Sequence, residues 1–270
     1  MKENPTKKSR RAIKRKFNTQ RNLKVVGINA NGLASKLNSL EYIITELKPS
    51  VICLQETKAR KQGKGFKDIK GYIKFELIRQ VSGGGGLMTL VSPDLKPVFI
   101  SEGDDNVEIL VVEIHIERLS VRIINCYAPQ QCDNIDRKNA FWARLNTEVE
   151  TAAEAQCEVI LQFDANSHVG SDIVPGDPNE QNGNDFLNKN SSLALINGSE
   201  KCSGTITRSR IKANKKEEAI LDFVIVSDTI EPYLKSMVID EIRKYPLTSF
   251  LNKSSKHSDH HTVIIDFDIM

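Results

Sequence analysis

The stretch EVILQFDAN, residues 158–166, sets a pattern that the rest of the chain repeats. An apolar run of strand length, EVILQF (158–163), stops abruptly in Asp164, Ala165 and Asn166. Working outward, similar runs occur at LKVVGI (23–28), VICL (51–54), GLMTLV (86–91), VEILVVEIHI (107–116), VRIINC (121–126), AILDFVIV (219–226) and TVIIDF (262–267). They are short, rich in Val and Ile, and bounded by Gly, Pro, Asn or Asp, which is the chemistry of β-strands. Within 111–116, Val112, Ile114 and Ile116 alternate with Val111, Glu113 and His115, so that strand is expected to have one dry face and one wetter one. Helical spacing appears between the runs. Leu37, Leu40, Ile43, Ile44 and Leu47 form one apolar stripe, closed by Pro49. Phe141, Leu145, Val149 and Ala152 form another, with Asp136 as its expected N-cap, and a third helix is expected over 184–193. Strands with interposed helices imply an α/β or α+β domain whose helices cover sheet.

The chain has 270 residues, 39% hydrophobic and 27% charged, with a mean hydropathy of -0.35. That supplies a sizeable core, and no run of apolar residues is long enough for a transmembrane helix. The start, MKENPTKKSRRAIKRK, lacks the apolar stretch of a secretory signal. Five scattered cysteines with no C-x-x-C spacing argue against a disulfide framework or a zinc site and for a reducing compartment. Residues 1–24 hold ten Lys or Arg against one acid, Glu3, a net +9 in a chain whose total is +3, so the remainder carries −6. A basic tail over 1–22 is therefore expected to be disordered, ahead of one folded domain over 23–270. The tail reads as a solvated solubilising segment, or as a nuclear-import signal or polyphosphate contact through KKSRR and KRK.

What each buried run ends in carries the functional information. The first runs into Asn29, the second into Gln55 and Glu56, the fifth into Tyr127-Ala128-Pro129, and the sixth into Asp164 and Asn166. Asp222 stands in an otherwise apolar run, and Ser258-Asp259-His260 precedes the last one. One polar residue at a strand end is an ordinary turn or cap. A carboxylate in a buried strand costs several kcal/mol unless it is paired. If these ends converge, they offer hard oxygen donors, an imidazole and a phenol, with no thiolate, a set that suits Mg²⁺ or Mn²⁺. Such a group can serve phosphodiester hydrolysis: a cation for the charge, a carboxylate to orient water, donors for non-bridging oxygens, and help for the leaving oxygen.

The ordered set N-x-N-G, L-Q-E-T, Y-A-P, D-x-N, L-D and S-D-H, spread over residues 23–268, resembles the endonuclease/exonuclease/phosphatase superfamily. NANGLASKLNSLEYII, SDIVPGDPNEQNGNDFL and TITRSR…EEAILDFVIVSD are similar to the endonuclease modules of non-LTR (LINE-type) retrotransposons. The resemblance implies a four-layer α/β sandwich, with two mixed β-sheets packed face to face and helices on the outside. It also implies roles. Glu56 would be the principal metal ligand, assisted by Asn29, with Asp259 beside the metal and Asn31 hydrogen-bonding around it. Tyr127 would contact the scissile phosphate, Asp164 would orient or deprotonate water, and Asn166 would hold a phosphate oxygen. Asp222 would orient His260, which would stabilise the charged transition state or act as acid–base partner. Thr205 would touch DNA near the site, while His261, without a counterpart, reads as a surface or strand residue. Ile28 before Asn29 and Phe163 before Asp164 depart from the family pattern without touching a reacting group.

Two positive loops flank these motifs. One carries Lys58, Arg60, Lys61, Lys64 and Lys67; the other carries Arg208, Arg210, Lys212, Lys215 and Lys216. Charge runs usually mark solvated loops, but positive charge at the proposed catalytic end of an acidic domain fits a polyanion. Asn31, Thr205, Lys58, Arg60, Arg208 and Arg210 are the expected contacts to double-stranded DNA. SGGGG (82–86) lacks the phosphate-loop pattern and reads as a turn. The resemblance implies a nuclear enzyme that nicks DNA to prime reverse transcription, with no polymerase in these 270 residues and a reverse transcriptase domain as an expected companion. An abasic-site repair endonuclease and a phosphatase of the same superfamily stay open as alternatives, as do target, metal preference and oligomeric state.

Overall fold

The structure, a computed structural model, describes residues 21–59, 65–80, 84–166, 181–249 and 256–269. In chain order its first strands are β1 (Arg21–Asn29), β2 (Val51–Gln55), β3 (Ile73–Leu77), β4 (Leu87–Val91), β5 (Val98–Glu102), β6 (Glu108–Ile116), β7 (Leu119–Tyr127) and β8 (Glu158–Asp164). They are followed by β9 (Leu193–Leu195), β10 (Cys202–Ser203), β11 (Arg208–Lys212), β12 (Lys215–Ala219), β13 (Asp222–Ser227), β14 (Leu234–Ile239), β15 (Thr248–Ser249), β16 (Lys256–His257) and β17 (Val263–Ile269). The helices are α1 (Leu37–Leu47), α2 (Ile135–Glu154) and α3 (Gln181–Lys189).

Two sheets result. The first runs β10-β14-β17-β1-β2-β4-β3 and the second β5-β6-β7-β8-β13-β9. Both are mixed: β1 and β2 pair in parallel in the first, β7 and β8 in the second, while β17 and β13 pair antiparallel to their neighbours. The runs alternate in which face they bury, and three apolar layers follow. Val25, Val51, Cys53 and Ile265 of the first sheet meet Val112, Ile114, Ile123 and Val224 of the second between the sheets. Leu40 and Ile43 of α1 cover the outer face of the first sheet over Ile28, Ile52 and Leu54. Phe141, Leu145 and Val149 of α2, with Phe186 of α3, cover the outer face of the second over Ile124, Leu161 and Phe223. Helix, sheet, sheet, helix: this is the four-layer α/β sandwich with helices on the outside.

The inter-sheet layer changes character toward one end. There Gln55 Nε2 donates to Asn125 Oδ1 (2.8 Å), and Asn125 Nδ2 donates to Met88 O (3.0 Å) and Thr89 Oγ1 (3.2 Å), all buried. Gly27 lets Gln162 in from the opposite sheet, since a Cβ there would overlap its side-chain amide. Pairing lowers the cost of burying the Gln55 and Asn125 amides, while Gln55 Oε1 and Gln162 Oε1 find no hydrogen-bond partner among the described residues. Together these amides floor the end at which β1, β2, β7 and β8 all finish.

Several expectations need correction. The N-cap of α2 is Asn134, whose side chain accepts from Arg137 N at 2.8 Å; Asp136 lies in the first turn, where its charge suits the helix dipole. The third helix starts earlier and stops earlier than 184–193. The run 219–226 is divided: Ala219 ends β12 and Asp222 opens β13. His261 is buried, with Nδ1 3.1 Å from Asp240 O and Nε2 3.1 Å from Ser209 Oγ. Of the segment 1–22, only Arg21 and Asn22 fall among the described residues, as the start of β1. Arg60, Lys61, Lys64, Ser82 and Gly83 lie outside them, as does His168. No helix of the described residues is long and apolar enough to cross a membrane.

Candidate active site

Asn29, Tyr127 and Asp164 end β1, β7 and β8, Glu56 follows β2 directly and Asp222 opens β13, so the sandwich itself aims them. Asn29 ends β1, and its amide nitrogen donates to Glu56 Oε1 (2.9 Å) and Asp164 Oδ2 (2.8 Å), while its oxygen accepts Asn31 N–H (2.9 Å). One amide thus fixes two carboxylates that come from different sheets. Asn31, Glu56 and Asn166 adopt positive φ (43°, 46° and 44°), which turns each chain sharply as it leaves its strand. Strain of this kind persists only where surroundings over-determine it. Here the bond from Asn166 N to Asp164 Oδ1 (3.0 Å) and that from Asn166 Nδ2 to Ala128 O (2.8 Å) do so for one of them.

Asp222 pairs directly with Asp164 across β13 and β8, and His260 lies against both. His260 Nδ1 is 2.8 Å from Asp222 Oδ2, and Nε2 is 3.7 Å from Asp164 Oδ2. All three are at least 95% buried, and their ligand-capable atoms lie within 4.8 Å of one another. Burial opposes the imidazolium, but the two carboxylates outweigh it and lift His260 to about 9. Burial and the neighbouring Asp222 push Asp164 up against the pull of His260. At neutral pH the triad therefore holds a proton on His260.

On the opposite side, burial of Glu56 is outweighed by Asn29 and by Lys58, whose ammonium is 3.0 Å from Oε2, so Glu56 stays below the usual carboxylate range. Lys58 also donates to Asn31 Oδ1 (2.6 Å), and Asn31 Nδ2 donates to Asp259 Oδ1 (3.1 Å). Asp259 is held near 2: burial resists ionisation, but His260 and Arg208, whose Nε is 2.8 Å away, prevail. Tyr127 is buried, its hydroxyl accepts from Gln130 Nε2 at 3.3 Å, and burial pushes the phenol well up, so it is a neutral donor.

These groups open onto a cleft of about 510 Å³ lined by Asn31, Glu56, Asn166, Asp259 and His260, with Arg208 and Arg210 on one wall. The β11–β12 hairpin brings those arginines. It is joined to the His260 segment by a bridge between Arg208 and His260 and by Ser209 N donating to Asp259 O (2.8 Å). Arg210 pairs across the hairpin with Glu217 (2.6 Å). Thr205 is exposed and does not line the cleft; its N–H bonds Glu241 Oε1. Two residues on, buried Thr207 accepts from Leu221 N (2.8 Å) and Asp222 N (3.0 Å), anchoring the base of β13. Gln130, Gln131, Cys132 and Leu221 also line the cleft. Sequence reasoning passed over them, although Gln130 follows Tyr127-Ala128-Pro129 directly.

The donors fit a hard divalent cation. Glu56 and Asp259 are ionised, hard oxygen donors. Asn29 and Asn31 turn their amide nitrogens toward these carboxylates, and Lys58 and Arg208 supply the positive charge beside them. No protein-family model matches the sequence. Solved structures do. The endonuclease domain of TRAS1, a telomere-specific non-LTR retrotransposon, aligns over 92% of this chain and 99% of its own at 16% identity, with a TM-score of 0.67. The catalytic domain of Xenopus laevis APE2 aligns over 91% and 92% at 17% identity, TM-score 0.67. An AP endonuclease from Archaeoglobus fulgidus aligns over 92% and 100% at 17% identity, TM-score 0.65. The chain has the fold of the endonuclease/exonuclease/phosphatase superfamily.

Proposed function

We propose that the protein is a metal-dependent DNA endonuclease that nicks one strand and leaves a 3′-hydroxyl. The observation that carries this reading is a single cleft in which Glu56, Asn166, Asp259 and a His260–Asp222 pair face one another beside two arginines. A phosphodiester is the substrate class that uses all of these at once. Water adds to phosphorus, the bond from phosphorus to O3′ breaks, and the water proton is passed on while O3′ gains one.

Asp164, fixed by Asn29 and by Asn166 N–H, is the group to hold a water and take its proton, and its raised affinity for protons suits that task. His260, cationic and held by Asp222, stabilises negative charge on the phosphorane oxygens, as do the Asn166 amide and the Tyr127 hydroxyl. Glu56, with Asn29 and Asp259, would hold a Mg²⁺ or Mn²⁺, which when bound would supply Lewis-acid chemistry toward the phosphate. Arg208 and Arg210, with Lys58, meet the backbone of double-stranded DNA, and the exposed side chains of the hairpin extend that surface. The fold shared with a retrotransposon endonuclease domain supports a role in opening a target strand for reverse transcription, with the polymerase carried elsewhere.

The test is conversion of supercoiled plasmid to nicked circles with Mg²⁺, with chelator, and with Glu56→Ala and His260→Ala. Metal-dependent nicking lost in both variants supports the reading. Cutting confined to an abasic duplex would move it to a repair endonuclease, and turnover of small phosphate esters without DNA cutting would move it to a phosphatase. Undiminished cutting by both variants would sink it.

A further inference from the structure

Glu108 belongs to none of the groups described above, yet its side chain is fully buried beside them. It opens β6 and lies opposite Tyr127 in the β6–β7 pairing. Oε2 accepts Gly86 N–H at 2.5 Å. Oε1 faces Arg79 Nη1 at 3.6 Å and Arg137 Nη2 at 3.9 Å without accepting a hydrogen bond among the described residues. A buried carboxylate in this state is costly to keep, and a Leu of similar size would pack the position without that cost.

Two chains of contacts lead away from it. On one side, Gly86 O accepts Thr57 N–H (3.0 Å) and Gly85 O accepts Lys58 N–H (2.9 Å), the two peptides that follow Glu56. Gly85 and Gly86 have φ of 92° and 85°; a Cβ on the first would collide with the Glu108 carboxylate, and a Cβ on the second would crowd Thr57 Oγ1. The turn is therefore fitted to Glu108 on one face and to the Glu56 segment on the other. On the other side, Arg137 Nη1 pairs with Asp133 Oδ1 (3.0 Å), Asp133 Oδ2 accepts Gln130 N–H (2.7 Å), and Gln130 Nε2 donates to the Tyr127 hydroxyl (3.3 Å). Arg137 is further held by Asn106 O (3.1 Å) and Asp105 O (3.2 Å).

We infer that Glu108 is a positioning residue that holds the Glu56 segment, carried by the first sheet, in register with the Tyr127–Gln130 segment, carried by the second. In functional terms it keeps the cation donors and the phosphate contact at a fixed spacing, and this part of the inference rests on the proposed function. The hydrogen-bond geometry by itself gives Glu108 a local effect that can be measured without any reaction.

The test compares Glu108→Gln, which keeps an acceptor but loses the charge, with Glu108→Ala, which loses both. Amide hydrogen exchange at Thr57, Lys58 and Gln130 is read by NMR in the metal-free protein, and Mn²⁺ affinity by electron paramagnetic resonance. Exchange at all three is expected to speed up about tenfold in Glu108→Ala and about threefold in Glu108→Gln, as local opening becomes easier. Mn²⁺ binding should weaken in the same order while metal-free DNA affinity holds. If Glu108→Ala does not fold, Glu108→Gln carries the test alone. A folded variant with wild-type exchange at these three amides and wild-type Mn²⁺ affinity overturns the inference. If the wild type binds Mn²⁺ without cutting DNA, the proposed function fails while these readouts still decide the role of Glu108. If it binds no Mn²⁺, the exchange rates decide it.

Discussion

His260 Nδ1 and Asp222 Oδ2 lie 2.8 Å apart, both buried, on segments separated by 38 residues. The pair converts two individually expensive groups into one ion pair, which explains how a carboxylate can open a core strand. In the metal-free protein His260 is expected to titrate near 9, well above the ordinary histidine range, because Asp222 and Asp164 outweigh burial. A folded-state value above the unfolded one contributes stability that is fully present below about 6.5 and is lost as pH rises through about 9. Asp222→Asn should bring the ring titration down by more than one unit and flatten stability over that window. NMR of the imidazole nitrogens and urea melts at several pH values check both; an unmoved titration would refute the pairing.

Glu56 is gripped by Asn29 and Lys58 in the same structure, so its removal should act on cation binding more than on folding. Glu56→Gln keeps the size and the hydrogen bond from Asn29 but loses the charge. Mn²⁺ affinity is expected to fall about tenfold to a hundredfold and nicking by more than that, with the melting temperature changed little. Titration of Mn²⁺ and a plasmid assay measure it.

Much of this arrangement was legible in the sequence, and the limit is instructive. Asn29, Glu56, Tyr127, Asp164, Asp222 and His260 announced themselves because each interrupts or ends an apolar run, and a polar group at the edge of a core needs a partner. Seven of the eight apolar runs carry one strand each for the same reason, and the run 219–226 is divided between the end of β12 and the start of β13. The remaining strands were hidden. β5 is an edge strand with exposed Val98 and Phe99, and β11 and β12 are polar on both faces, so neither shows core periodicity. Arg243 illustrates what no local pattern reveals: it donates to Ser258 O (2.6 Å) and Ser209 O (3.1 Å), tying the hairpin to the His260 segment through backbone carbonyls that carry no sequence signature.

The arginine wall gives a salt-dependent prediction. Arg208 is paired with Asp259 and Arg210 with Glu217, so each must partly exchange a protein partner for phosphate. Arg210→Ala should weaken DNA binding several-fold and reduce the slope of log K against log salt by about 1. Arg208→Ala should do the same and also lower kcat, because its partner Asp259 adjoins His260. Anisotropy titrations over a range of salt, with steady-state nicking, separate the two; identical effects on kcat would contradict the placement of Arg208.

Asn125 lies under the site and satisfies Gln55, Met88 O and Thr89 in the space between the sheets. Asn125→Leu strands the Gln55 amide and the Met88 carbonyl in a place water does not reach. A loss of about 2–4 kcal/mol is expected, from one to two unsatisfied groups. Replacing Asn125 and Gln55 together by Leu should recover part of that loss, since paired removal leaves fewer orphans. Denaturant unfolding of the single and double variants decides it, and a double variant worse than the sum of the singles would show that the amides do more than satisfy each other.

Glu108 supplies a prediction in which stability and position part company. Burial lifts its carboxyl to about 7 even though Gly86 N–H, Arg79 and Arg137 favour the charge. Because the folded value exceeds the unfolded one, about 4.5, the folded protein binds the extra proton, and stability declines as pH rises from there through about 7. Glu108→Gln removes that titration, so it should be as stable as the wild type or more so at pH 8 and show a flatter profile between 4.5 and 7. A residue kept only to hold the fold together would give the opposite sign, a variant weaker at pH 8. Melting curves of both proteins across that range distinguish the cases, and a more stable variant with a looser Glu56 segment is the combination that a positioning role demands.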